Sequence, residues 1–127
     1  MDTHAGMTET VLVADDNIDA GATLADLLAV LGHTVERAID GREALEIALR
    51  ARPRMVFLDI GMPGLDGREV CRCIRDTAWG TGSWIVAISG YGTPEDKAAS
   101  MAAGFDAHCT KPITLETLQE ALTHMPS

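Results

Sequence analysis

Residues 55–67 read MVFLDIGMPGLDG, an apolar run that stops at one carboxylate, Asp59, and continues into a loop of glycine and proline. Such a run is typical of a buried strand. A carboxylate at a buried position costs free energy unless an opposite charge or a hydrogen-bond donor compensates it. The rest of the sequence should therefore supply a partner for Asp59, and that partner should indicate the function.

Composition and charge exclude several classes of protein. The chain has 127 residues, of which 46% are hydrophobic and 23% charged, as expected for one globular domain with its own core. No apolar stretch is long enough to cross a bilayer, and the acidic start MDTHAGMTET is unlike a secretion signal. We therefore expect a cytoplasmic protein with no membrane partner. The formal net charge of -9 argues against nucleic acid as a partner.

The three cysteines, Cys71, Cys73 and Cys109, are odd in number and lack the paired spacing of a zinc site. Cys71 and Cys73 lie two residues apart on a predicted helix, so their side chains point to different sides. We expect free thiols in a reducing compartment.

Apolar, β-branched runs alternate with segments of helical spacing along the whole chain. Strands are predicted at 10–15, 33–39, 54–59, 84–89 and 105–111, with a loop between the third helix and the fourth strand. The first helix ends at Gly32. Its apolar face is predicted to carry Ile18, Leu24, Leu27, Leu28 and Leu31.

The later helices carry recognisable start signals. The letters DGRE occur at 40–43 and again at 66–69, where each Asp can cap a helix and the Glu three residues later can act as the reciprocal partner. Thr93 and Pro94 supply a cap and a first helical residue for the fourth helix, and Gly104 ends it. The last helix is marked by Leu115, Leu118, Leu122 and Met125.

Five strand–helix units predict an α/β fold, with a parallel sheet, right-handed crossovers and helices on both faces. We expect a flexible leader at 1–8, one domain at 9–125 and a tail at 126–127. In such open sheets, functional groups gather at the carboxyl ends of the strands, near the point where the strand order reverses.

Polar residues stand at four of these strand ends. They are Asp15 and Asp16, then Asp59, then Ser89, then Lys111. Three carboxylates brought together repel one another. A divalent cation resolves that conflict, and ligands that are all oxygen suit magnesium best. Lys111 can balance the remaining charge and so is the expected partner of Asp59.

This set of groups favours phosphoryl transfer. The transferred group carries negative charge on its oxygens, and catalysis consists mainly of positioning and charge neutralisation. Asp59 would attack phosphorus and become an aspartyl phosphate, a known use of a carboxylate nucleophile. Lys111 and the Ser89 hydroxyl would bind the phosphoryl oxygens.

Four motifs resemble those of receiver domains of the two-component response-regulator family. In order, they are VLVADDN at 11–17, VFLDIGMPGLDG at 56–67, AISGYG at 87–92 and TKPI at 110–113. The resemblance covers about residues 9–125. It implies a flavodoxin-like sheet of order 2-1-3-4-5 and a signalling switch that catalyses only its own phosphotransfer and dephosphorylation.

The resemblance also assigns roles to the site residues. Asp59 aligns with the phosphoacceptor, Asp16 and Asp59 with direct magnesium ligands, and Asp15 with an acid that acts through water. The backbone carbonyl of Gly61 matches a further metal ligand. Lys111 matches the lysine that pairs with the phosphate, and the Lys111–Pro112 bond resembles the family's cis peptide.

Three residues are implied to form the conformational switch. Ser89 matches the small hydroxyl residue that follows the phosphoryl group. His108 stands where the family usually has a Tyr or Phe that rotates inward, so we expect Ser89 to contribute more than His108. The GYG sequence after Ser89, which contains Tyr91, resembles the sequence of receivers attached to hybrid sensor kinases. The histidine at position 108 resembles them too. Tyr91 could equally be an ordinary exposed loop residue.

The implied partner is a histidine kinase or a histidine phosphotransfer protein that donates to Asp59. The face of the fourth helix, fifth strand and fifth helix would carry the signal outward. We expect no DNA-binding segment after residue 127, and therefore either a free-standing regulator or a domain of a longer protein.

Other function classes fit the residues less well. A dehalogenase-type phosphatase needs a second Asp where this chain has Gly61, and a flavin carrier would place a phosphate against Asp15 and Asp16. A receiver-like domain that binds without phosphorylation would not need the complete set of acid, hydroxyl and lysine. Asp15, Asn17 and Asp19 begin like a calcium loop, but the later positions do not match one.

Overall fold

The computed structural model describes residues 7–90 and 94–125. The strands are β1 (Thr8–Ala14), β2 (Val35–Ala38), β3 (Pro53–Asp59), β4 (Trp84–Ser89) and β5 (Ala107–Thr110). The helices are α1 (Ile18–Val30), α2 (Gly41–Ala51), α3 (Gly67–Arg75), α4 (Pro94–Ala103) and α5 (Leu115–Leu122), with a short 3-10 helix at Trp79–Gly82. Most of the predicted leader, the tail, Tyr91 and the Thr93 cap lie outside the described residues.

Within the described residues, the five strands form one parallel sheet in the order β2-β1-β3-β4-β5. This confirms the predicted doubly wound, flavodoxin-like fold. The order reverses between β1 and β3, the two strands whose ends carry the predicted acids. The crevice expected from this topology therefore opens beside Asp15 and Asp59.

Two apolar layers cover the sheet because successive strand residues point to opposite faces. On one face Leu12, Val56 and Ile85 pack with Ile74 of α3. On the other face, the packed residues include Val11, Val13, Leu24, Leu28, Phe57 and Leu118. Because both faces are covered, the central strands β3 and β4 are buried and mostly apolar, which explains why they read as continuous apolar runs.

Some predicted boundaries and burial assignments were wrong. β1 begins at Thr8, inside the predicted leader, because the Thr8 N–H donates to the Arg52 carbonyl at 2.9 Å. β5 is shorter than predicted, although Phe105, just before it, is buried in the core. Residues 79–82, predicted as loop, form the short 3-10 helix. Ile18 is 64% exposed, since at 100° per residue it lies roughly 90° from the buried stripe of α1.

The predicted helix starts at the two DGRE motifs are confirmed. The Asp40 carboxylate accepts from the Glu43 N–H at 2.8 Å, and Asp66 accepts from the Glu69 N–H at 3.0 Å. The Glu43 carboxylate bonds to the Ile39 N–H rather than to that of Asp40.

None of the helices in the described residues has the length and apolar character needed to cross a membrane.

Arg75 at the end of α3 ties several segments together. Its Nη2 donates to the Asp106 carboxylate at 2.6 Å. Its other nitrogens donate to the carbonyls of Gly80, Ser83 and Gly104 at 2.7–2.9 Å. Charge-assisted bonds to partly buried groups stabilise more than surface ion pairs do. Arg75 therefore fixes the segment before β5 against α3.

We expect Arg75→Met to lower the free energy of unfolding by about 2–4 kcal/mol, because three carbonyls lose their Arg75 donor and Asp106 keeps only the Ile85 N–H. Arg42→Met is the matched control, since Arg42 makes an exposed pair with Glu46 on α2 and should change stability by less than about 0.5 kcal/mol. Urea denaturation measures both. Equal losses in the two variants would show that the Arg75 network carries no special stability.

Candidate functional site

Four strands deliver the predicted site residues to one edge of the sheet. Asp59 is the last residue of β3 and Ser89 the last of β4, while Asp15 directly follows β1 and Lys111 directly follows β5. Backbone hydrogen bonds continue past the strand ends, from the Asp15 N–H to Ala38 and from the Lys111 N–H to Ser89. These hydrogen bonds therefore fix the backbone from which the site side chains project.

The three predicted acids form one cluster. Asp15, Asp16 and Asp59 each offer a carboxylate oxygen within 4.8 Å of the others. Asp15 and Asp59 are only 3% and 6% exposed, whereas Asp16 faces solvent. The Asn17 N–H donates to Asp15 Oδ1 at 2.9 Å, and the Gly61 N–H donates to Asp59 Oδ1 at 2.8 Å. These backbone bonds orient the two buried carboxylates.

Lys111 is the partner that the buried Asp59 requires. Its Nζ lies 2.9 Å from Asp59 Oδ2 and 3.0 Å from Asp15 Oδ2. Burial lowers the pKa of Lys111, but hydrogen bonds and charge pairing with Asp59 and Asp15 more than offset this, so its pKa lies above the ordinary 10.5. The lysine is thus held in its charged form. The Lys111–Pro112 peptide bond is cis, as the family resemblance implied.

The lysine does not remove all the electrostatic conflict in the cluster. Burial raises the pKa of Asp15, the Asn17 N–H and Lys111 lower it, and Asp59 raises it. The net effect is a pKa above the ordinary 3.8. Three carboxylates facing one ammonium leave an excess of negative charge, which a divalent cation would neutralise.

We expect this conflict to appear in the pH dependence of stability. A carboxyl whose pKa is raised in the folded state binds its proton more tightly there, so its stabilising contribution is lost as pH rises through the folded pKa. In metal-free buffer, Asp15→Asn should therefore gain stability relative to wild type as pH rises from about 3 to about 6. Chemical denaturation at several pH values, with exposed Asp26→Asn as control, measures it. A gap that stays constant with pH would contradict the expectation.

The donor set fits a hard divalent cation. Carboxylate oxygens, with an exposed member that leaves room for water, are the ligands that magnesium prefers. Asp15, Asp16 and Asp59 meet these requirements of chemistry and proximity. The Gly61 N–H donates to Asp59, and the role of the Gly61 carbonyl as a metal ligand stays a prediction.

Gly67 explains part of the second DGRE motif. A Cβ at this position would lie 2.5 Å from the backbone carbonyl oxygen of Asp59. Only glycine allows the first turn of α3 to pack this closely against the end of β3. The helix start and the site residue are therefore positioned together.

Ser89 and His108, both implied by the resemblance to belong to the switch, are in direct contact. Ser89 Oγ lies 3.0 Å from His108 Nε2. Ser89 is buried and His108 is half-buried. His108 lies opposite Ala87 in the β4–β5 register, so its side chain stands on the same face as Ser89, two residues further along β4.

Two features near the site were missed in the sequence. Asn17, rather than the preceding acids, caps α1 by accepting from the Ala20 N–H at 3.0 Å, which leaves both acids available to the site. A groove of about 360 Å³ adjoins the cluster, lined by Asp15, Ala20, Thr23, Leu24, Lys111, Pro112 and Ile113. One wall of this groove belongs to α1, and the sequence signal for that wall was the helical spacing of residues 20, 23 and 24.

Comparisons with known proteins identify the family that combines this flavodoxin-like fold with an acidic edge of the sheet. Residues 11–123 match the model of the response regulator receiver domain. The chain belongs to this family, the phosphoacceptor module of two-component signalling.

Relatives and solved structures agree with this assignment. The response regulator MprA of Mycolicibacterium vanbaalenii is 39% identical over 112 residues, which cover 88% of this chain and 48% of that protein. MprA of Mycobacterium ulcerans is also 39% identical over 112 residues, 88% of this chain and 47% of its own. The chain thus spans about half the length of these curated relatives.

Two solved structures share the fold closely. Chemotaxis protein CheY4 of Vibrio cholerae superposes with a TM-score of 0.85 at 31% identity, covering 95% of this chain and 100% of that one. The receiver domain of sensor histidine kinase PA1611 from Pseudomonas aeruginosa gives 0.83 at 27% identity, covering 92% and 96%. The latter holds a magnesium ion in its active-site cleft.

Proposed function

We propose that Asp59 is the phosphoacceptor of this receiver domain and its sole phosphorylation site. The observation that carries the proposal is the 2.9 Å contact between Lys111 Nζ and Asp59 Oδ2 at the end of β3, within a cluster of two further carboxylates. The charged lysine lies against the carboxylate that would act as the nucleophile. The same ammonium is close enough to neutralise a phosphoryl group once it arrives.

Magnesium is the proposed cofactor. Asp16 and Asp59 would hold it directly, with Asp15 acting through water and the Gly61 carbonyl as a further ligand. When bound, the ion supplies positive charge against the phosphoryl oxygens and the crowded carboxylates. One magnesium ion would therefore both neutralise the acid cluster and stabilise the transferred group.

The reaction follows from these positions. A carboxylate oxygen of Asp59 forms a bond to phosphorus while the bond between phosphorus and the donor's leaving atom breaks. Lys111 stabilises the negative charge of the phosphoryl oxygens, and the Ser89 hydroxyl donates a hydrogen bond to one of them. Water would then attack phosphorus, the bond from phosphorus to the Asp59 oxygen would break, and inorganic phosphate would leave with the carboxylate restored. In this proposal the domain catalyses its own phosphotransfer and dephosphorylation.

The proposed phosphoryl donor is a phosphohistidine, carried by a histidine kinase or by a histidine phosphotransfer protein. The family's place in two-component signalling supports this partner. The groove beside Asp15 and Lys111 supports it too, because its apolar walls at Leu24 and Ile113 border the acid cluster. A donor seated there would bring its phosphoryl group next to Asp59.

We infer that phosphorylation changes the face formed by α4, β5 and α5. The new group adds about -1.5 to -2 charge, and Lys111 connects it directly to the end of β5. Ser89 connects it through His108 to the middle of the same strand. Tyr91 remains a proposed member of the switch. The responding unit is proposed to be the domain at 9–125.

Incubation with magnesium and a small acyl phosphate, followed by intact mass measurement, tests the proposal. We expect the mass of one phosphoryl group to be added per folded chain. The exposed Asp26→Asn variant should be labelled like wild type. A folded wild-type chain that gains no mass with excess donor and magnesium would overturn the proposal.

A further inference from the structure

We propose that His108 is a positioning residue that sets, through the Ser89 hydroxyl, how tightly the domain holds a phosphoryl group on Asp59. The inference rests on the proposed function of Asp59. It starts from the 3.0 Å contact between Ser89 Oγ and His108 Nε2. Ser89 ends β4, beside β3 with Asp59 at its end, while His108 lies on β5. The pair therefore links the phosphorylation site to the edge strand.

The single proton of a hydroxyl makes the direction of this bond decisive. If His108 Nε2 accepts, the Ser89 proton points at the imidazole and lone pairs remain to face the anion. If Nε2 carries a proton and donates it to Ser89, the hydroxyl proton is available for a phosphoryl oxygen. A chain from imidazole to hydroxyl to phosphoryl oxygen then forms, in which each bond strengthens the next.

Protonation of His108 guarantees the productive direction, because both ring nitrogens of an imidazolium are donors. Two charged side chains on neighbouring helices line a surface depression together with His108, Lys97 on α4 and Glu120 on α5. The positive charge of Lys97 would disfavour the imidazolium, and the negative charge of Glu120 would favour it. Lys111, three residues further on, is already paired with Asp15 and Asp59. The phosphoryl group adds negative charge on the Ser89 side, so it should favour the protonated ring.

Thermodynamic linkage between His108 protonation and phosphoryl binding has a consequence that can be measured. If the phosphoryl group favours protonated His108, then protonation of His108 must favour the phosphoryl group by the same factor. The domain should therefore hold a phosphoryl analogue more tightly as pH falls from about 8 to about 6, the range in which an ordinary imidazole titrates. In the His108→Gln variant the new amide can donate to Ser89 but does not titrate, so the affinity of this variant for the analogue should depend little on pH over this range.

The experiment uses the whole chain with magnesium and beryllofluoride, a tetrahedral phosphoryl analogue. We expect wild-type affinity to rise about fivefold more than that of His108→Gln between about pH 8 and about pH 6. His124→Gln, an exposed site beyond α5, should match wild type. In addition, NMR of wild type should show His108 titrating at higher pH with the analogue than without it.

Equal pH ratios in wild type and His108→Gln, or an unmoved His108 titration in wild type, would overturn the inference. The NMR titration needs no variant and decides the matter even if His108→Gln fails to fold. A wild-type chain that binds no analogue at either pH and takes no phosphoryl group from an acyl phosphate would refute the proposed function itself. The two failures are therefore distinguishable.

Discussion

Asp59→Asn should take up no phosphoryl group from a small acyl phosphate, under conditions in which wild type is fully labelled. The substitution removes the nucleophilic oxygen, since an amide does not attack phosphorus as a carboxylate does. The fold should survive, because the Asn carbonyl can still accept the Gly61 N–H that bonds to Asp59 Oδ1. Lys111 would retain Asp15 as its partner.

Intact mass after incubation with magnesium and donor measures the loss, and circular dichroism checks the fold. Asp26→Asn is the matched control, because it makes the same chemical change at an exposed position of α1 and should be labelled like wild type. Labelling of a folded Asp59→Asn chain at the wild-type rate would place the acceptor elsewhere.

Removal of divalent cations should slow phosphorylation by about a hundredfold or more, equivalent to roughly 3 kcal/mol of transition-state stabilisation. Without a cation, the incoming phosphoryl group meets three carboxylates within 4.8 Å of one another and the single ammonium of Lys111 that contacts two of them. Because Asp16 is the exposed member of that cluster, Asp16→Ala should cause a comparable loss while leaving the buried Lys111 contacts in place.

Labelling rates in excess chelator, and after magnesium is added back, test this dependence. Magnesium should restore the wild-type rate, while Asp16→Ala should require much more magnesium for the same rate. Asp26→Asn again serves as the control for loss of one negative charge on the surface. Robust labelling in excess chelator would contradict a metal-dependent site.

Much of the fold was predictable because its signals are local. Strands covered on both faces read as continuous apolar runs, and β4 was predicted with its observed bounds. Helix starts carry their own capping residues, as at Asp40 and Asp66. Ile18 was placed on the wrong side because its spacing alone does not fix which stripe of α1 meets the sheet. The length of β5 depends on its pairing with β4, which no local pattern encodes.

The contact between Asp59 and Lys111 was also predictable, because parallel strands bring their carboxyl ends to one edge. Other contacts depend on tertiary detail. Arg75 and Asp106 are 31 residues apart and lie in segments without a shared periodicity. The Ser89–His108 contact follows only once the register of β4 and β5 is known.

The central claim is tested most directly by locating the phosphoryl group on the wild-type chain. Borohydride reduces an aspartyl phosphate to homoserine, which is stable to digestion. Trypsin cleaves after Arg54 and Arg68, so the peptide 55–68 carries Asp59 and Asp66, and fragmentation distinguishes the two. We predict a single homoserine, at position 59, in chains labelled with magnesium and an acyl phosphate. Homoserine at any other position, with Asp59 intact, would contradict the proposed mechanism.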